Sequence, residues 1–315
     1  MRYPAAQGTV RHRLADVPLM VVGTPRSGTT LVQRLVTEEC GLAGAPESHF
    51  FILLPDMLRT HGSLAEALRK YAAAPQLRGC HLDVDALLEM VGPRPGLYDL
   101  FRAVMGQLAH GASEVCEKTP DHLWMWRRLT RRDPELALVV VVRDPRAVVA
   151  SLARARFTAH PIPVLAEQWR VDAAMAHRAA RTLGPRRVLL LRYEDVVASE
   201  VETRRALGRL HPSRGARTAG GETSRSIVLP WEHWKADATR AVTSDRLEAW
   251  RNELSTEQVA LIEAVCHRMM ARFGYLPSVP GRGLAPLRLL PHLPRIFRYR
   301  LAVARHVVRR GRTRL

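Results

Sequence analysis

Lysine is nearly absent from this chain. Of 48 basic residues only Lys70, Lys118 and Lys235 are lysines, so a lysine inside a motif carries more information than usual. Cysteine is sparse as well: Cys40, Cys80, Cys116 and Cys266 are scattered and form no CxxC pair. That argues against a zinc site or a disulfide framework and for reduced structural thiols. No apolar run approaches the ~20 residues that cross a bilayer. The longest, residues 136–142 (LALVVVV), reads as a buried strand. The start of the chain lacks a charged segment followed by an apolar core, so no secretory signal is expected and the cytoplasm is the default address.

What is present suits one large globular domain or two modest ones. The 315 residues are 47% hydrophobic and 25% charged, which excludes a disordered, collagen-like or coiled-coil protein. The net charge of +18 is unevenly spread. Residues 282–315 hold ten arginines and no acid, which leaves +8 for everything before them.

Hydrophobic periodicity predicts strands at 18–23, 114–117, 136–142 and 187–191. Helical spacing is found at 29–40, 64–74, 83–91, 98–110, 121–129, 145–156, 164–183, 244–253 and 256–273, with Gly274 as a stop signal. Residues 211–222 (HPSRGARTAGGE) read as a loop. Strands alternating with helices predict an α/β fold: a three-layer, P-loop-NTPase-like parallel sheet flanked by helices.

Gly23-Thr-Pro-Arg-Ser-Gly28-Thr29-Thr30 has the spacing of a Walker A loop and stands between a predicted strand and a predicted helix. Backbone N–H groups in such a loop cradle an anion, aided by the helix dipole; without a ligand it would be a glycine-rich turn. The lysine that reaches the β- and γ-phosphates of a nucleoside triphosphate is replaced by Thr29. Arg26 is the available cation, which disfavours a nucleotide hydrolase and favours another phosphate-bearing donor.

Here the sequence resembles the sulfotransferases that use 3′-phosphoadenosine 5′-phosphosulfate (PAPS) and release 3′-phosphoadenosine 5′-phosphate (PAP). The segment 24–30 (TPRSGTT) is similar to the 5′-phosphosulfate loop of the bacterial and tyrosylprotein branches. The resemblance implies that Arg26, Ser27, Gly28, Thr29 and Thr30 hold the 5′-phosphate and sulfonate. The segment 139–151 (VVVVRDPRAVVAS) resembles the 3′-phosphate element, with Arg143 at a strand end and Ser151 in the next helix. An arginine fork and a hydroxyl suit a phosphate; the other reading is an Arg–Asp surface pair. The segment 191–195 (LRYED) resembles the family's YED element, which implies that Tyr193 lies near the adenine. Residues 240–275 resemble the C-terminal region of the tyrosylprotein branch, making Arg240 and Ser244 further donor-binding candidates. The implied organisation is a sulfotransferase domain over 1–280 and an Arg-rich amphipathic tail over 281–315.

In-line sulfonate transfer needs a fixed donor, a base for the acceptor and a cation for the leaving phosphate, with no metal required. Lys118, in Glu117-Lys118-Thr119-Pro120, and Arg26 are the expected cations; family EKT and EKS segments place a lysine beside the transferred group. The histidine that cytosolic members carry shortly after a lysine is absent, since Pro120 stands there. Other branches use a Glu about twenty residues beyond the phosphate-loop cation, and Glu47 lies 21 residues after Arg26. Its neighbours Pro46, Phe50 and Phe51 are expected to desolvate it in part and raise its pKa. His49 and His122 are rival bases.

The tail mixes Arg with Leu, Ile, Val, Phe and Tyr at helical spacing over 293–310. It suits peripheral contact with an anionic membrane, or simple packing on the enzyme; nucleic acid is less favoured. The expected acceptor is a small molecule, sugar or lipid-linked compound. The alternatives are a P-loop small-molecule kinase and an Arg-rich nucleic-acid-binding protein.

Overall fold

The computed structural model describes residues 14–155, 160–212, 227–229, 232, 246–279 and 288–311. Its centre is a five-stranded parallel sheet: β1 (Asp16–Gly23), β2 (Ala43–Gly44), β3 (Glu114–Lys118), β4 (Ala137–Val142) and β5 (Val188–Arg192), in the order β2-β3-β1-β4-β5. In register, Val21 faces Lys118 on β3 and Val139 on β4, while Val142 faces Arg192 on β5.

Because strand side chains alternate, β1 divides its apolar residues between two cores. Leu19 and Val21 pack with Val139 and Val141 against Leu31, Val32, Leu35 and Val36 of α1 (Thr29–Cys40). Met20 and Val22 pack with Leu138 and Val140 on the opposite face, against α5 (Leu97–Leu108) and Trp169 of α8 (Ile162–Leu183). Helices therefore cover both faces, and the continuous β-branched run of β4 is the sequence signature of a strand buried on both sides.

Between β2 and β5 lie α2 (Phe50–Thr60), α3 (Leu64–Ala72), α4 (Val84–Val91), α6 (Trp126–Arg132) and α7 (Pro145–Arg154). After β5 follow α9 (Tyr193–Ala198), α10 (Glu200–Leu210), α11 (Trp250–Glu253), α12 (Thr256–Arg272) and α13 (Leu293–Gly311). Local chemistry sets several starts: Ser63, Asp83, Asp144 and Ser255 accept backbone N–H groups at the heads of α3, α4, α7 and α12.

The expected helix at 121–129 is instead a 3₁₀ segment, Pro120–Met125, followed by α6. Helix α2 was not expected: it carries Pro55 internally and starts on two phenylalanines, so propensity alone does not mark it. Most of the loop expected at 211–222, and the start of the helix expected at 244–253, lie outside the described residues. Among the described residues no helix is long and apolar enough to cross a membrane.

Candidate active site

Parallel strands deliver their loops to one edge of the sheet, outside their carboxyl ends, and the described site candidates all lie there. Arg26, Ser27, Gly28, Thr29 and Thr30 follow β1, Glu47 and His49 follow β2, and Lys118 ends β3. Arg143 and Ser151 follow β4, and Tyr193 follows β5. Arg240 and Ser244 lie outside the described residues.

The loop after β1 is tightly wound. Ser27 N–H donates to the Thr24 carbonyl at 3.2 Å, and Arg26 is held at φ 72°, a left-handed conformation that costs a non-glycine residue. Gly28 is also left-handed, at φ 86°, and a Cβ there would lie 2.3 Å from Cδ2 of Tyr193. The glycine is therefore needed twice, for its backbone angle and for the ring against it. Gly28 caps α1 without a side-chain hydrogen bond, so the first-turn N–H groups of that helix are not satisfied by a capping side chain.

The two sequence signatures, the loop after β1 and the β4–α7 corner, meet in space. Arg26 Nε donates to Ser151 Oγ at 3.0 Å, across 125 residues of sequence. Arg143 donates from Nη1 to the Arg26 carbonyl at 3.4 Å and from Nη2 to the Arg246 carbonyl at 2.7 Å. Its guanidinium lies over the Tyr193 ring, 4.4 Å from the centroid. The corner itself is fixed: Trp169 Nε1 donates to the Arg143 carbonyl at 2.9 Å, and Asp144 N–H donates to Glu194 at 2.9 Å. Glu194 in turn accepts the Tyr275 hydroxyl at 2.8 Å.

Arg26 is met by Arg143, Arg154 and Arg246 with Glu47 as the opposing carboxylate, while Glu194 and Asp144 face Arg143. Burial, then the charge of Arg143, hold the Arg26 guanidinium below its ordinary value, against the opposing pull of Glu47; Arg154 and Arg246 push the same way as Arg143. Burial likewise lowers Arg143. Ser27 Oγ and Arg143 Nε are buried with no hydrogen-bond partner among the described residues. Unsatisfied donors beside mutually repelling guanidiniums are what a polyanion would complete.

A second cluster stands at the end of β3. Lys118 is fully buried, and its Nζ donates to Glu47 Oε1 at 2.5 Å. The other carboxylate oxygen of Glu47 lies 3.3 Å from His49 Nε2, and His49 is itself left-handed at φ 47°. The loop is bolted down from below by Glu117, which is fully buried. Glu117 accepts from Ser48 Oγ at 3.1 Å, from Thr119 Oγ1 at 2.6 Å and from His122 Nδ1 at 3.1 Å. Phe51 N–H donates to His122 Nε2 at 3.3 Å, so the ring proton resides on Nδ1 and points at Glu117. Burial pushes the Glu117 carboxyl up, but His122, Thr119 and Ser48 outweigh it and hold the group below its ordinary value. His49 N–H donating to Thr119 Oγ1 and Tyr71 O–H donating to the Ser48 carbonyl complete the frame.

Two expectations are corrected here. His122 is fully buried with both ring nitrogens engaged inside the fold, so it is a structural residue and not a rival base. Phe50 and Phe51 do not shield Glu47. They point into the core, edge-on to Tyr71 and His122, and Lys118 and His49 are among the side chains that meet Glu47. Sequence reasoning missed Glu117 and Ser48, although a Glu inside a strand of a doubly covered sheet signals a buried partner. It also missed Arg246 and Arg154, whose neighbourhood to Arg26 depends on the tertiary fold.

An open cleft of about 670 Å³ lies beside the Arg143 corner, lined by Asp144, Arg146, Arg192, Glu194, Arg251 and Tyr275 among others. Its lining includes none of Arg26, Glu47 and Lys118. Among the described residues no group of three or more His, Cys, Asp or Glu could hold a metal ion.

The profile of the sulfotransferase family matches residues 18–210, more than half of the chain, from within β1 to the end of α10. The chain belongs to the sulfotransferase family. Solved members with this fold include the sulfotransferase domain of the olefin synthase of Synechococcus PCC 7002. It is 18% identical with a TM-score of 0.58, covering 86% of this chain and 99% of that one. The sulfotransferase domain of the curacin biosynthetic pathway is likewise 18% identical, with a TM-score of 0.51, covering 84% and 99%. At that identity the likeness establishes the fold. None of the curated proteins matches the sequence.

Proposed function

We propose that this sulfotransferase takes its sulfonate from PAPS and transfers it in line to a hydroxyl or amine. The observation that carries the donor assignment is the half-buried Arg26–Arg143 pair beside the buried, unsatisfied Ser27 Oγ. The residues fit the group. Arg26, Ser27, Gly28, Thr29 and Thr30 would hold the 5′-phosphosulfate, Arg143 and Ser151 the 3′-phosphate, and Tyr193 the adenine side. Arg240 and Ser244 are proposed for the 3′-phosphate on the motif resemblance alone. Bound PAPS supplies the electrophilic sulfonate, and PAP departs with the charge released.

Glu47 is the proposed base, taking the proton of the acceptor as its oxygen or nitrogen attacks. Lys118 and Arg26 offset the negative charge that gathers on the leaving phosphate. The Lys118–Glu47 contact keeps base and cation within one hydrogen bond of each other, and His49 Nε2 lies against the other carboxylate oxygen. The acceptor is proposed to be a small molecule, sugar or lipid-linked compound.

The test is transfer of radiolabelled sulfonate from PAPS to a panel of hydroxyl and amine acceptors, run beside ATP with magnesium. Label transfer with formation of PAP is expected. Phosphate transfer from ATP in the absence of PAPS would overturn the reading.

A further inference from the structure

Helix α13 has two apolar faces, and only one of them is covered by the described residues. On the inner side Ile296 is buried. Arg300 donates from Nε at 2.7 Å and from Nη2 at 3.2 Å to the carboxylate of Glu167 on α8, which is fully buried and also accepts from Arg170. Tyr299 sits edge-on to His160, and burial, with the nearby carboxylates of Asp172, Asp121 and Glu167, pushes its hydroxyl pKa up. These contacts dock the helix on the body.

The outer side is different. Leu290, Leu293, Phe297 and Leu301 are 56%, 48%, 66% and 38% exposed, and they make up four of the six exposed large hydrophobics among the described residues. Their spacing of three, four and four residues aligns them as one stripe along the helix and the 3₁₀ turn before it. Arg295 and Arg298 are exposed on the same helix. A helix that merely covered its own core would turn charge outward here.

We propose that α13 is an interfacial helix that lays this outer stripe into an anionic lipid surface while its inner face stays docked on α8. The charge of the segment selects the partner: residues 282–315 carry ten arginines and no acid. Uniform positive charge without an alternating acid suits the diffuse negative potential of a lipid leaflet, and the apolar stripe suits the acyl boundary beneath it. Nucleic acid would engage the arginines but gives no role to an aliphatic and phenyl stripe. The proposal does not depend on the identity of the sulfonate donor.

The experiment is co-sedimentation of the full chain with phosphatidylcholine vesicles, with and without phosphatidylglycerol. Binding to the anionic vesicles, weakened by added salt, is expected. Phe297→Ser with Leu301→Ser should lower the partition by tenfold or more, since two inserted side chains are lost, with an unchanged melting temperature because both face outward. As a second readout, Phe297→Trp should shift its fluorescence to shorter wavelength with anionic vesicles. The proposal is overturned if neither vesicle is bound, if neutral and anionic vesicles are bound alike, or if the double substitution leaves partition unchanged. Salt-sensitive binding to duplex DNA that exceeds vesicle binding and ignores the substitutions would equally overturn it.

Discussion

Lys118 Nζ and Glu47 Oε1 lie 2.5 Å apart, joining the end of β3 to the loop after β2 across 71 residues. The lysine is fully buried and the carboxylate is slightly exposed. A general base contributes roughly 10²–10⁴-fold to rate. Glu47→Gln is therefore expected to lower kcat within that range while leaving PAP affinity within a few-fold of wild type. Steady-state kinetics paired with calorimetry checks it, and an unchanged kcat would refute the base assignment.

Arg143 is proposed for the donor; its guanidinium spans the Arg26 carbonyl and the Tyr193 ring. Charge-assisted hydrogen bonds are worth about 1.5–3 kcal/mol. Arg143→Ala should accordingly weaken PAP binding by about ten- to hundred-fold at constant ionic strength.

Gly28→Ala tests the wound loop. The left-handed backbone and the Tyr193 ring both resist a Cβ there. Strain of order 1–3 kcal/mol is expected from the backbone alone. A lower melting temperature should result, and Tyr193→Ala in the same chain should restore part of it by removing the clash but not the strain.

Glu117 predicts a pH dependence. Its folded pKa lies below the ordinary 4.5, so its contribution to stability is present above that value and is lost as pH falls through the lower folded pKa. Glu117→Gln should cost roughly 1–3 kcal/mol near neutrality, because Ser48, Thr119 and His122 lose a charged acceptor. It should also flatten the acid limb of the stability curve. Denaturant unfolding between neutral and acid pH measures both effects.

Much of the fold was legible because local signals agree with the tertiary solution. The run at 137–142 could be little other than a central strand, and Gly274, read as a stop signal, stands left-handed just past the end of α12. The position of the loop at 24–28, between a strand and a helix, was equally legible, being contiguous in sequence. What was hidden depends on long-range contact. Helix α2 is held by Phe50 and Phe51 packing on Phe101, not by its own propensity. The sequence marked Lys118 by its rarity, but nothing local placed Glu117 beneath the Glu47 loop or turned Phe50 and Phe51 away from Glu47.

The most direct test of the donor site is calorimetric titration of PAP, and separately of ATP with magnesium, into the full chain and its Arg143→Ala variant. The account predicts that PAP binds more tightly than ATP and that the substitution removes most of that preference. Tighter binding of ATP, or PAP binding indifferent to the loss of Arg143, would contradict it.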